Sequence, residues 1–193
     1  MRPRPACACS KARIRSGDVA IDLYRPVGLI GWYLAADLGR ALYHLLSRGL
    51  APMLVGLALF DLTMPPSVPN AAAFLVSVPL AVTISFALRF LVACTAFWLL
   101  DANGVRLLAD ACAIFFSGVT LPLVLFPGWL GTLAESLPWA GILQVPADLW
   151  LGRHDGTAIL AYLGFQLGWI AILLGCCALV LRAATRRVVV QGG

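Results

Sequence analysis

Lysine and arginine are spread so unevenly along this chain that they select one membrane topology. Four long apolar stretches occupy about residues 41–62, 71–100, 105–126 and 157–181. With both chain ends on one side and each stretch read as a crossing, all 14 basic residues except Arg89 and Arg153 fall on that side. They are Arg2, Arg4, Lys11, Arg13, Arg15, Arg25, Arg40, Arg48, Arg106, Arg182, Arg186 and Arg187. Short segments rich in Lys and Arg stay in the cytoplasm, so the sequence predicts that both termini are cytoplasmic. The opposite orientation would carry nearly every basic residue across the bilayer.

A soluble domain carries about 25% charged residues. This chain carries 12%, against 61% hydrophobic. In lipid, only helices and closed barrels satisfy their backbone groups. The apolar stretches are continuous and do not alternate, so they predict helices. The fold class is therefore all-α, a polytopic transmembrane bundle of about four crossings. The formal net charge of +5 follows from residues flanking apolar spans and not from one basic face, so nucleic-acid binding is not indicated. Cys7, Cys9, Cys94, Cys112, Cys176 and Cys177 lack the histidine companions and spacing of a metal site and read as small packing residues. No metal and no cofactor are implied. Residues 1–12 read as a basic, poorly structured tail without the apolar core of a secretory signal.

Residues 13–40 read as a cytoplasmic, surface-lying segment. Within 31–48 the apolar residues recur at helical spacing, with Asp37, Arg40, His44 and Arg48 on the opposite, polar side. This amphipathic helix leads into the first and weakest crossing. The second stretch, thirty residues or roughly 45 Å as a helix, exceeds the hydrocarbon thickness of about 30 Å. It must tilt, kink at Pro79 or project. Gly118 and Pro122 weaken the third stretch near its outer end. Residues 127–156 are broken by Pro127, Pro138 and Pro146 and carry Trp129, Trp139 and Trp150, which suit the outer interface. They read as short helices that dip into the outer leaflet and return. A full crossing there would put Arg182, Arg186 and Arg187 outside. In the last crossing, Gly164-x-x-x-Gly168 is a candidate close-approach contact between helices. Residues 182–193 form a basic cytoplasmic tail.

Few residues stand out chemically. A G-x-x-x-x-G-K-[ST] loop does not occur, so the sequence offers no phosphate-binding P-loop. The stretch DANGVRLLAD offers two aspartates and one glycine, too few for the metal cluster of a lipid-headgroup phosphotransferase. Arg89 is the odd charge, since a central arginine costs about 2.5–3.5 kcal/mol on insertion scales. It reads either as an inner-end side chain that snorkels, or as a pathway or helix-contact residue paired with Asp101 or Asp110. Gln166 reads as a hydrogen-bonding contact between helices or, less readily, a substrate contact. Asp148 and Arg153 read as a hydrated loop pair or an outer-gate contact.

The strings LLDANGVRLL, FFSGVTLPLVLFPGWLGTLAESLPWAGILQVPADLWLG and RAATRRVVVQGG resemble the permease subunits of type-2 ATP-binding-cassette exporters. More narrowly, they resemble the bacterial two-permease branch described as viologen or multidrug exporters. SGDVAIDLYRPVG matches the pattern that precedes the third span of that family, so the resemblance covers residues 13–193 and supplies spans three to six. It implies a bacterial plasma-membrane subunit that moves a small hydrophobic or cationic compound by alternating access. The partners implied are ABC ATPase subunits and a second permease, alike or related, with lipid around them. By position, Asp18, Asp22, Tyr24 and Arg25 would touch the ATPase. Residues 127–152, with Trp129, Asp148 and Arg153, would close the outer gate. A non-transporting accessory or scaffold subunit is the alternative.

Overall fold

The computed structural model describes residues 28–59, 64–95, 98–99, 103–120, 123–154 and 156–191. Among these the regular structure is helical throughout: α1 (Leu29–Leu59), α2 (Val68–Cys94), α3 (Asn103–Phe116), α4 (Gly128–Ser136), α5 (Gln144–Trp150) and α6 (Thr157–Gln191), with a 3-10 turn at Leu123–Leu125. Three of them, α1, α2 and α6 as far as Ala183, are long and apolar enough to span a membrane.

The amphipathic segment and the first crossing form one continuous helix. α1 widens into a π-turn at Leu45–Gly49, which ends three residues before Pro52. Proline has no N–H for the Arg48 carbonyl and its ring crowds that oxygen, so the helix relaxes there without ending. The polar side predicted for this segment is corrected at one residue. Asp37 is only 3% exposed and faces α2 on the same stripe as buried Tyr33.

α2 starts cleanly. The Ser67 hydroxyl accepts from the Asn70 N–H, and Pro69 lies in the first turn, where its missing donor costs nothing. Its 27 residues span about 40 Å. α6 runs parallel to it: Gln166 meets Ser77 and Cys177 meets Ala87, so residue numbers rise together. Two parallel helices that start at the same end require the chain between them to travel back through the bundle.

That return is not one helix. α3 has 14 residues, about 21 Å, and so falls short of a bilayer core. It stops at Ser117 and Gly118, where φ is +83°, a conformation glycine alone adopts at no steric cost. The rest of the distance is made by the 3-10 turn and the α4–α5 hairpin. Phe115 against Phe126 and Phe116 against Trp139, with ring centres 5.1 and 5.8 Å apart, join the end of α3 to that hairpin.

The hairpin is a wedge. Gly141, between α4 and α5, reaches Gln166, nine residues beyond the start of α6 and so about 14 Å down its axis. On α4, the Ser136 carbonyl accepts from Trp169 Nε1 at 3.2 Å. α5 and the start of α6 pack on the first half of α2 through Ala73, Val145, Leu149 and Ile159. The other half of the bundle is filled by Tyr33, Ile84, Phe86, Phe90, Leu173 and Cys177. The remaining helix faces carry exposed Leu54, Leu75, Leu107, Leu160 and Leu179, a surface suited to lipid and not to water. Gly164 and Gly168 belong to this outer face. A Cβ on either would meet nothing within 4 Å, so the motif makes no close contact among the described residues.

Candidate functional site

One end of the bundle, where α1 and α3 begin and α2 ends, carries Arg40, Arg89 and Arg106; here it is called the basic end. At that end α3 stands off α2 and leaves a cavity of about 500 Å³. Leu88, Arg89 and Val92 of α2 form one wall, and Arg106, Asp110 and Ile114 of α3 the other. Trp139 and Ile142 of the hairpin form its roof. The lining is mostly apolar, with two guanidiniums and one carboxylate.

Helix geometry aims each charge. Arg89 Nε donates to the Ser85 carbonyl one turn back, 3.1 Å, which bends the guanidinium across α2. Its Nη2 then donates to Asp37 Oδ2 at 2.8 Å. Arg40, one turn along α1 from Asp37, donates to the other carboxylate oxygen. A single buried carboxylate thus ties together two arginines and two helices. Tyr33 packs beside this pairing against Phe90, the rings tilted with centres 6.4 Å apart. Arg106 and Asp110 lie one turn apart on α3 at 3.7 Å, both more than half exposed, a loose pair of little energetic value. Arg89 therefore pairs with α1 and not with Asp110, while Asp101 lies outside the described residues.

Gln166 is completely buried at the hairpin tip. Its Nε2 donates to the Gly141 carbonyl at 2.8 Å and to the Ser77 carbonyl at 3.3 Å, so one amide bridges α6, α2 and the wedge. Loss of the amide leaves the buried Gly141 carbonyl without its donor, which costs about 1–3 kcal/mol. Gln166→Ala is expected to lower stability in detergent by that amount and to speed amide hydrogen exchange across residues 138–145. Unchanged exchange there would show that the wedge is held by something else.

At the opposite end, Asp148 is buried and accepts from Gln144 Nε2 at 2.9 and 3.1 Å and from Arg153 Nη1 at 3.0 Å. The Arg153 N–H also donates to the Asp148 carbonyl, which closes the turn after α5. These groups line a second crevice, about 440 Å³, with Glu135 and with His154 stacked on Tyr162 at 4.1 Å. Trp129 lies away from both cavities, 77% exposed on α4. Asp18, Asp22, Tyr24 and Arg25 lie outside the described residues.

Asp37 is the residue that sequence reasoning missed. Part of the signal was present: Arg89 stands alone in a long apolar helix and needs an opposite charge, and Asp37 is one of the few acidic residues near an apolar stretch.

The chain belongs to the ABC-2 family of transporter proteins: the profile described as "ABC-2 family transporter protein" matches residues 1–192. No curated protein matches the chain, and no solved structure does. Family membership and three apolar helices of spanning length make it an integral membrane protein, the membrane component of a transporter.

Proposed function

We propose that this ABC-2 family chain is a permease subunit of an ABC exporter, working by alternating access while a separate subunit hydrolyses ATP. The observation that carries the reading is the cavity at the basic end, roofed by a short-helix hairpin that does not cross the bundle. Such a hairpin is a natural two-state element. It rests on α6 through few polar bonds, so a small rotation of α3 or α6 would move it and expose the cavity to the other side. Closure of a pair of ATPases at the basic end would supply that rotation.

In this reading the basic end is cytoplasmic, because Lys and Arg mark that side. The membrane is the bacterial plasma membrane, and a second permease, identical or related, completes the channel. Asp18, Asp22, Tyr24 and Arg25 contact the ATPase. Asp148 and Arg153 brace the turn beside the outer gate, with Trp129 on the outer rim. The chain, purified from native membranes, is expected to bring an ABC ATPase and a second permease with it. Recovery alone would sink the transporter reading and favour an accessory membrane subunit. The orientation has its own check. A cysteine at Glu135, the other cysteines removed, is expected to react with an impermeant thiol reagent in intact cells. Protection there, with labelling only after lysis, would invert the topology.

A further inference from the structure

We infer that the face of α1 carrying Arg48 is a docking surface within the membrane, and that its occupant is a spanning helix of an unlike subunit with an aspartate or glutamate at the depth of Arg48. This rests on the reading that a second permease completes the channel. It adds where that subunit binds and that it is not a copy of this chain.

α1 runs unbroken through its π-turn, so Arg48 belongs to a helix of spanning length and not to a surface segment before it. About 17 Å of helix separates Arg48 from the end of α1 at Leu59, and Asp61 follows to mark the far boundary. The hydrocarbon layer is about 30 Å thick, so Arg48 starts well inside it, and any tilt of α1 takes it deeper. Its side chain is exposed and makes no ion pair or hydrogen bond among the described residues. A charge at that depth faces protein or water and is paired. His44, one turn earlier, has a buried Nδ1 that also lacks a hydrogen-bond partner among the described residues. No residue of Leu45–Gly49 or Leu50–Leu59 is buried, while α2 buries residues in every turn. Among the described residues α1 contributes none to the lining of the α2–α3 cavity, so that space does not hydrate Arg48.

Charge decides the occupant. Asp37 is buried between Arg40 and Arg89, Asp110 faces the α2–α3 cavity beside Arg106, and Glu135 and Asp148 line the outer crevice. The other acidic residues lie outside the described residues and, in sequence, at or beyond the ends of the apolar stretches. A second copy therefore presents no carboxylate in the middle of a lipid-facing span. Two copies inserted in the same direction are related by an axis along the membrane normal. α1 against α1 would then bring Arg48 to Arg48 at equal depth, a repulsion that a low dielectric strengthens. An unlike helix with one carboxylate removes the repulsion and supplies the missing charge. A charge-assisted pair of this kind fixes register as well as partner.

The test uses the full-length chain in its native membranes. The photo-crosslinker benzoylphenylalanine replaces either Ala51, one turn from Arg48 on the same side of α1, or Met53, on the opposite side. Adducts are identified by mass spectrometry. The expected Ala51 adduct is a peptide of a different polypeptide, from an apolar run of spanning length with an aspartate or glutamate inside it. Met53 is expected to give lipid adducts. Arg48→Gln is expected to lower the yield of the Ala51 adduct at least about tenfold, and Arg48→Lys to keep most of it. Replacement of the partner's carboxylate by the matching amide should lower the yield equally, and no further in combination with Arg48→Gln. An Ala51 adduct with a second copy, with another segment of this chain or with lipid alone overturns the proposal. So does an Arg48→Gln chain with normal helix content and unchanged yield. The identity of the adduct from the chain with native Arg48 decides even where a variant fails to insert. An ATPase captured with the chain despite any overturning result leaves the transporter reading standing and removes the docking face alone.

Discussion

Asp37→Ala is expected to destabilise the bundle more than the loss of any other single charge. Removal of one partner from a buried ion pair costs about 3–5 kcal/mol, because the other charge is left without compensation. Here the carboxylate is 3% exposed and serves two guanidiniums, but Arg89 is partly solvent-accessible and can turn towards water. The lower part of that range, about 3 kcal/mol, is therefore expected. Arg89→Leu should cost less, since Asp37 keeps Arg40. Thermal unfolding in detergent of the two single variants and the double variant checks this. The double variant should recover part of the loss seen with Asp37→Ala. Strict additivity would mean that Asp37 and Arg89 do not interact, and the α1–α2 clamp would have to be abandoned.

Gly152→Ala is expected to have the second large effect. Gly152 has φ +65°, where a side chain costs about 1–2 kcal/mol through clash with the following carbonyl. Its position adds more. A Cβ there would lie 2.1 Å from Pro66 Cγ, 2.7 Å from Pro66 Cδ and 3.1 Å from Asn70 Nδ2. Neither the proline ring nor buried Asn70 can swing aside as a flexible side chain would. The turn after α5 must back away from the start of α2, for a total expected cost above about 3 kcal/mol. Gly156 is the internal control. It has φ +59° and open space around the position a Cβ would take, with nothing within 4 Å, so Gly156→Ala should cost only the backbone part, about 1–2 kcal/mol. Equal losses in the two variants would show that the Pro66 contact carries no weight.

The resemblance and the composition point to one kind of molecule, and the structure and the family agree with both at the level of a helical membrane bundle. Much of the architecture was legible because bilayer physics is restrictive. Long continuous apolar runs can only be helices in lipid, and prolines with tryptophans at 127–150 can only make short broken ones. The third stretch was legible in part. Gly118 and Pro122 predict unwinding, yet α3 stops at Phe116, and the hairpin, not a longer helix, makes up the return. The amphipathic segment was read as leading into the first crossing, but the π-turn at Leu45–Gly49, by which the helix carries on past Pro52, was not legible.

The candidate site divides in the same way. Arg89 and Gln166 are conspicuous in sequence because a charge or an amide within an apolar helix needs a reason. Their partners are not conspicuous. Asp37 stands 52 residues from Arg89, and Gly141 and Ser77 offer Gln166 only backbone carbonyls, which every residue possesses. The cavity itself has no sequence signature, since it is the space left where a 14-residue helix stands off a 27-residue one.

By itself, then, the sequence determined the solvent this protein lives in, its helical class and the end at which its charges gather. Each of these follows from transfer free energies summed over residues, whatever those residues touch. Tertiary structure alone decided which face of α1 turns inward, which carboxylate holds Arg89 and how deep the wedge reaches. Those depend on the register of one helix against another, and a shift of a single turn would pair a different set of side chains.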